Sequence, residues 1–352
     1  MIGFAIFVAT RANPGYRYRM LRKILTAGIL GASLLPTLSF ASPTLLERLG
    51  YGPADKLLIL HIDDIGSIRA ANEAARINLS TGFATSGSVM VPGPAYAEIP
   101  AAFGGLPVDL GVHLTLNSDG RPGHDWKAAA AGVPSLTDKF GNLIASPLKL
   151  VAFGKAAEIK REMEAQVQAA LSLGLPFSHL DTHLGAAFFK PSWIEAYMNL
   201  GRKYRLAPMV PRWSGGIQRL LGPAAWPMGF VLKPLLAKIE AAGFLMLDDF
   251  YLLPFPKQDP GPDARRAEYL SILRNLKPGV TQIILHPAAV DEEFERDNLT
   301  GTPGERVRNY EAELLNDPAL KKVLEEEGIH LISWREINAI YPWDEVKELK
   351  LF

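Results

Sequence analysis

Hydrophobic positions along this chain fall into two rhythms. Short apolar runs of strand length lie at Leu57–Asp63, Thr85–Val91, Val108–Leu116, Phe177–Asp181, Phe244–Leu247, Thr281–His286 and His330–Ser333. Between them, apolar residues recur at helical spacing. The clearest case is KAAEIKREMEAQVQAALSL, where Ile159, Met163, Val167 and Leu171 are four apart and Gly174 supplies a stop. Ser67, after Gly66, is placed to cap a helix running through AANEAARINL. A further helix is expected from Glu305 to about Glu327. Strands alternating with helices predict an α/β fold with a parallel sheet inside and helices outside. Seven strands fit a closed or nearly closed barrel better than a small open sheet. In either architecture the reactive groups belong at the carboxyl ends of the strands.

The first 41 residues follow neither rhythm. They hold Arg11, Arg17, Arg19, Arg22 and Lys23 with no acid, then an apolar, small-residue run from Ile24 to Phe40 closing on Ser39-Phe40-Ala41. A basic start, an apolar middle and small residues before the expected cut read as a secretory signal peptide, residues 1–41. The alternative, a membrane anchor, is disfavoured by the short run and by Pro36, so no stable anchor is expected. Met20, just ahead of Leu21-Arg22-Lys23, is the natural start of such a signal, which makes residues 1–19 a mis-assigned beginning. The mature part is then residues 42–352, exported to the periplasm or beyond.

Composition sharpens this picture. The 352 residues are 48% hydrophobic and 21% charged, an ordinary globular balance with ample core. Removing residues 1–41 takes away five of 37 basic residues and none of the 37 acids, leaving a net charge near −5. That balance argues against nucleic acid as a partner. There is no cysteine, which excludes a thiol nucleophile and every cysteine-ligated metal site. No G-x-S-x-G elbow, dinucleotide fingerprint or P-loop is present. Oligomeric state is left open.

The chemistry-bearing residues gather at strand ends. KLLILHIDDIGS ends a buried strand on Asp63 and Asp64, and two adjacent carboxylates cost free energy unless a cation or proton lies between them. One would hold a metal and the other stay free as a base; the competing role is a helix cap by Asp64. His113 sits late in DLGVHLTL, and His179, Asp181 and His183 alternate through PFSHLDTH. Asp64, His113 and His183 would supply one carboxylate and two imidazoles with open positions, the pattern of a catalytic metal. Asp181 would fix an imidazole tautomer. His286, before Pro287, suits acid–base work, with an ordinary loop histidine as the alternative. Taken alone, His113, His179 or His183 is more readily a hydrogen-bonded core residue; their convergence favours the ligand reading. His179, Asp181 and Arg212 complete the candidate set as residues that support the ligands or contact substrate. Asp248-Asp249 would cap a turn or touch substrate, and Trp213, Trp226, Phe230 and Tyr251 would pack or stack on sugar rings. His124, Trp126 and His330 read as structural or solvated.

Taken in order, LLILHIDDIG, ATSGSVMVPGPAY, DLGVHLTL, VPSLTDKFGN, FSHLDTHLG, IILHPA and EAELL…GIHLISWREI resemble the YdjC-like carbohydrate deacetylases, over about Lys56 to Ile337. The resemblance implies a single catalytic domain with a distorted TIM-like (β/α) barrel and one divalent metal ion. It implies Asp64, His113 and His183 as metal ligands, Asp63 as the base and His286 as the general acid. The implied reaction is hydrolysis of an N-acetyl group on a sugar or oligosaccharide. An O-acetyl ester hydrolase on the same scaffold and a non-catalytic carbohydrate-binding protein are the alternatives. Two imidazoles and a carboxylate favour zinc, while members of the family are also assigned magnesium. The chain departs from the family at Ile65, where phenylalanine is usual, at Leu184 and Gly185, where further histidines are common, and at Pro92, where asparagine is. These departures bear on the substrate pocket and leave the ligand set intact.

Overall fold

The computed structural model describes residues 43–81, 83–118, 126–289, 294 and 306–351. The expected signal peptide and His124 lie outside them. Strand β1 (Lys56–Ile65) is buried at every position but its first. A run this apolar needs cover on both edges and both faces, which a central parallel strand receives. It pairs in parallel with β7 (Gly279–Leu285) along Lys56–Ile62. On its other edge it meets two partners in turn. Its lower half, Lys56–Leu58, pairs with β8 (Ile329–Leu331), and its upper half, from His61, pairs with β2 (Ser86–Val89).

The parallel ladder continues from β2 through β3 (Leu110–Leu114) and β4 (Phe177–Thr182) to β5 (Ala207–Pro208) on one side, and from β7 to β6 (Asp249–Leu252) on the other. The ends of this ladder meet. Pro211 bridges Leu247 in parallel, Arg212 N–H donates to Leu247 O at 2.8 Å, and Leu247 N–H donates to Val210 O at 3.0 Å. The expected α/β architecture is thus a curled parallel sheet wrapped by helices, a distorted TIM-like barrel.

Local differences have identifiable causes. β5 escaped notice because it is two residues long and contains a proline. The apolar run Phe244–Leu247 is buried, but the ladder partner of β7 is Asp249–Leu252, a few residues on. The helix after β1 spans Arg69–Thr81, and its first carbonyl is that of Ile68, so Ser67 stands one position ahead of the cap. The late helix is two: Val307–Leu314 and Pro318–Glu326, separated where Asp317 caps the second through Ala319 N–H and Pro318 takes its first position.

The helix Ala156–Leu171 shows the first three turns of the expected apolar stripe, with Ile159, Met163 and Val167 fully buried, while Leu171 at its end is exposed; Gly174 follows at φ +70°. A second, polar stripe on it is also buried. Glu162 accepts from the N–H groups of Ala129 and Ala130, Glu158 accepts from Ser135 N–H, and Gln166 bonds both backbone groups of Thr115. This stripe fastens the long connection after β3, whose backbone would otherwise be unsatisfied.

The lower barrel is plugged by Trp334, fully packed after β8. Its indole stacks on His179, with centroids 5.4 Å apart, and donates to Gln282 Oε1 at 2.8 Å. His179 in turn lies against Gly111, where a Cβ would fall 2.4 Å from the imidazole. With the ring trapped against Trp334, Gly111→Ala overpacks the interior and is expected to cost about 1–3 kcal/mol. A urea unfolding midpoint unchanged in Gly111→Ala would contradict this packing.

Candidate active site

β1 does not stop at its aspartates. It continues to Ile65, and it carries one residue more than β2 between the pairs Ile62–Gly87 and Ile65–Val89. This is a β-bulge. Asp64 sits in it at φ +64°, a left-handed conformation disfavoured for a residue with a Cβ. Neighbours on a regular strand point to opposite faces. Here the bulge turns both carboxylates into one space: His113 Nε2 lies 3.9 Å from Asp63 Oδ2 and 3.5 Å from Asp64 Oδ1. The bulge, rather than the turn at Gly66, brings them together. Gly66 follows at φ +95°, where a Cβ would fall 2.9 Å from Met90 O.

Asp64, His113 and His183 are all buried, and their ligand atoms lie within 4.8 Å of one another. Asp64 and His113 each have one atom tied back. Asp64 Oδ2 faces the Arg308 guanidinium at 3.5 Å, leaving Oδ1 toward His183 Nδ1 at 3.2 Å. His113 Nδ1 bonds Asp181 Oδ1 at 2.7 Å, and Ser88 Oγ donates to Asp181 Oδ2 at 2.7 Å, which turns His113 Nε2 to the shared space. His183, first residue after β4, lies against the Trp126 indole with centroids 5.3 Å apart. Its Nε2 is buried with no hydrogen-bond partner among the described residues. A carboxylate and two imidazoles, one with a nitrogen to spare, fit a divalent cation with open positions.

Electrostatics agree with this fit. Burial works against the charged form of Asp64, but hydrogen bonds from His113 and His183 and the charges of His183 and His286 hold its pKa well below the usual carboxylate value. Burial likewise opposes charge on His113, yet the carboxylates of Asp181 and Asp63 and the bonds to Asp181 and Asp64 hold it well above the usual histidine value. Without a cation the pocket therefore keeps a proton on His113.

His286 follows β7 directly. Its N–H donates to Glu311 Oε2 at 2.7 Å, and its carbonyl accepts from Arg308 at 3.2 Å. Glu311 is itself buried and held by Arg265 and Tyr269, each at 2.6 Å. This scaffold puts His286 Nε2 4.0 Å from Asp63 Oδ2. Burial depresses the His286 pKa, with Asp64 and Asp63 pulling the other way.

The structure thus brings Asp63, Asp64, His113, His183 and His286 together, with Asp181 behind His113. His179 lies deeper, against His61 and Ser178. Arg212 joins no part of this cluster; it sits at the barrel seam, paired with Glu240 and, at 3.4 Å, Asp248. Asp249 accepts from Gly216 N–H at a helix start and faces Arg219, and Asp248 accepts from Val280 N–H, so the second acidic pair ties neighbouring segments together. Trp226 and Phe230 pack on each other and stay exposed. Sequence reasoning missed Arg308, Glu311, Ser88 and His61, and set Trp126 aside. Only His61, in the same strand as the aspartates, carried a local signal.

An α/β barrel with a buried three-residue cluster that could hold a metal ion, beside a second carboxylate and a third imidazole, is the class that fold and site define. A model of the YdjC-like protein family matches residues 57–326, and the chain belongs to that family. It is 35% identical over 301 residues to a carbohydrate deacetylase of Thermus thermophilus, covering 84% of this chain and 98% of that protein. It is 27% identical to a carbohydrate deacetylase of Thermoanaerobacter pseudethanolicus, covering 79% and 98%. The crystal structure of a proposed cellobiose-phosphate cleavage protein from Enterococcus faecalis V583 shares the fold, with TM-score 0.62 and 22% identity over 81% of this chain and 99% of that one.

Because His113 holds a proton in the cation-free pocket, cation binding must displace it. Calorimetry of zinc binding in buffers of different ionisation enthalpy is expected to show proton release at neutral pH, with affinity weakening as pH falls. Buffer-independent heats would contradict it.

Proposed function

We propose that this protein is a metal-dependent hydrolase that removes N-acetyl groups from an acetylated sugar or oligosaccharide. The observation that carries the reading is the pairing of a ligand set, Asp64, His113 and His183, with a second carboxylate and imidazole, Asp63 and His286, 4.0 Å apart beside it. The relatives named carbohydrate deacetylases, matched over nearly their whole length, supply the substrate class.

Asp64, His113 and His183 would hold the cation. A divalent cation there supplies a Lewis acid for the acetyl carbonyl and lowers the pKa of water. Two imidazoles and one carboxylate suit zinc better than magnesium. Asp63 Oδ2 takes a proton from the attacking water as its oxygen bonds the acetyl carbon. His286, neutral at rest because burial lowers its pKa, faces Asp63 Oδ2 at 4.0 Å; it would receive that proton across one bridging water and pass it to the sugar nitrogen as the C–N bond breaks. The products are acetic acid, which keeps the second proton of the water, and the amine; on release they ionise to acetate and an ammonium group. An amide needs the proton transfer to its leaving atom more than an ester does, because an unprotonated amine leaves poorly. A protein that only bound sugar would need neither Asp63 nor His286.

Asp63→Asn is expected to keep cation binding and lose about 10²–10⁴-fold in acetate release from N-acetylated sugars, whereas Asp64→Ala loses both. Chelator-insensitive release, or release only from O-acetylated sugars, would overturn the N-deacetylase reading. The proposal includes export. The amino terminus of the protein recovered from the cell envelope or medium is expected at Ser42, and an intact residue 20 there would refute cleavage.

A further inference from the structure

Asp63 shows two different oxygens. Oδ2 faces the reaction space, toward His113 Nε2 at 3.9 Å and His286 Nε2 at 4.0 Å. Oδ1 points away from it, to His61 Nδ1 at 2.8 Å. His61 is fully buried, and its Nε2 also lies 3.7 Å from Asp181 Oδ2, the carboxylate behind His113. The same Nε2 lies 2.8 Å from His179 Nε2. His179 Nδ1 lies 2.8 Å from Ser178 Oγ, and Ser178 Oγ lies 2.5 Å from Asp109 Oδ1. At the barrel bottom, Asp109 Oδ2 accepts from Ser86 Oγ at 2.7 Å and from Arg335 N–H at 2.9 Å. A string of buried hydrogen bonds therefore crosses the barrel from the aspartate pair to its lower end.

Hydrogen counting decides what His61 does. The contact between the two Nε2 atoms takes one hydrogen, from either ring. An ionised Asp63 has none to give. The 2.8 Å contact of Oδ1 with His61 Nδ1 then exists only if Nδ1 carries a hydrogen, whichever way the string runs below it. We propose that His61 is the positioning residue for Asp63: its Nδ1–H donates to Oδ1, leaving Oδ2 alone to act as the base, and His179, Ser178 and Asp109 hold the ring in that orientation. The claim rests on Asp63 being the base in the proposed reaction. Its geometric half, the hydrogen on Nδ1, stands apart from any activity. Gly111 and Trp334 serve the same string, since they confine the His179 ring from two sides. A ring so confined cannot rotate to offer another nitrogen.

The test has two arms. In the zinc-loaded protein labelled with ¹⁵N-histidine, His61 is expected to show a protonated Nδ1; a neutral His61 with its hydrogen on Nε2 alone overturns the proposal, and this reading needs no turnover. In kinetics with the sugar the wild type deacetylates, His61→Phe is expected to lower kcat by about 10–100-fold, with KM and zinc stoichiometry unchanged. His61→Asn, whose amide N–H falls near the place of Nδ1, restores most of that loss. Ser178→Ala, which cuts the string below His179, lowers kcat by a smaller factor. Equal losses in His61→Asn and His61→Phe, a change confined to KM, or an unaffected Ser178→Ala overturns it. If the wild type releases no acetate from any sugar, the deacetylase reading fails while the imidazole spectrum still decides the place of the hydrogen.

Discussion

Everything at the top of this barrel follows from the cost of burying carboxylates. Asp63, Asp64 and Asp181 lie within one small volume, each nearly out of solvent. Leaving one such charge without its partner costs about 3–5 kcal/mol. None is left so. Asp181 holds His113 and Ser88, Asp64 faces His113, His183 and Arg308, and Asp63 faces His61. Imidazoles are the apt partners because they can surrender a proton when a cation arrives, which a guanidinium cannot. Arg308, a guanidinium in contact, faces the oxygen of Asp64 that is turned from the imidazoles.

That constraint reaches into the backbone. Two sequence neighbours share one face only because β1 bulges, and the bulge puts Asp64 in a left-handed conformation. Strain of this kind, of order 1–3 kcal/mol, persists where surrounding structure over-determines it. Here the surroundings are β7 on one side, paired through Ile62, and β2 resuming at Val89 on the other. The insertion of β8 under β2 continues the same logic downward. It brings Trp334 and Arg335 to the barrel bottom, where they close the packing under His179 and satisfy Ser86 and Asp109. Site and core are thus a single hydrogen-bonded column inside an apolar wall.

Much of this was legible in the sequence. The apolar run before Asp63-Asp64, the alternation His179, Asp181, His183 and the histidine closing Gln282–Leu285 each carry a local pattern. Strand period and strand end suffice to place Asp63, Asp64, Asp181, His183 and His286 at one rim of a parallel sheet, because side-chain alternation and strand direction are local properties; His179, earlier in its strand, sits below that rim. The ordered motifs extended that reading to the family.

What needed the tertiary structure was every relation between distant segments. That Asp181 serves His113 rather than its neighbours His179 and His183 depends on the register of β3 against β4, which pairs His113 with Asp181. Arg308 and Glu311 reach the site from a helix more than two hundred residues after Asp64, and nothing in their own stretch announces it. Arg212 looked equally suitable by type but is engaged at the seam where the barrel closes. Local sequence determines which faces and ends residues occupy, because those follow from backbone period. Which buried charge meets which partner is decided by long-range packing, since the free energy of a charge belongs to its surroundings and not to its place in the chain.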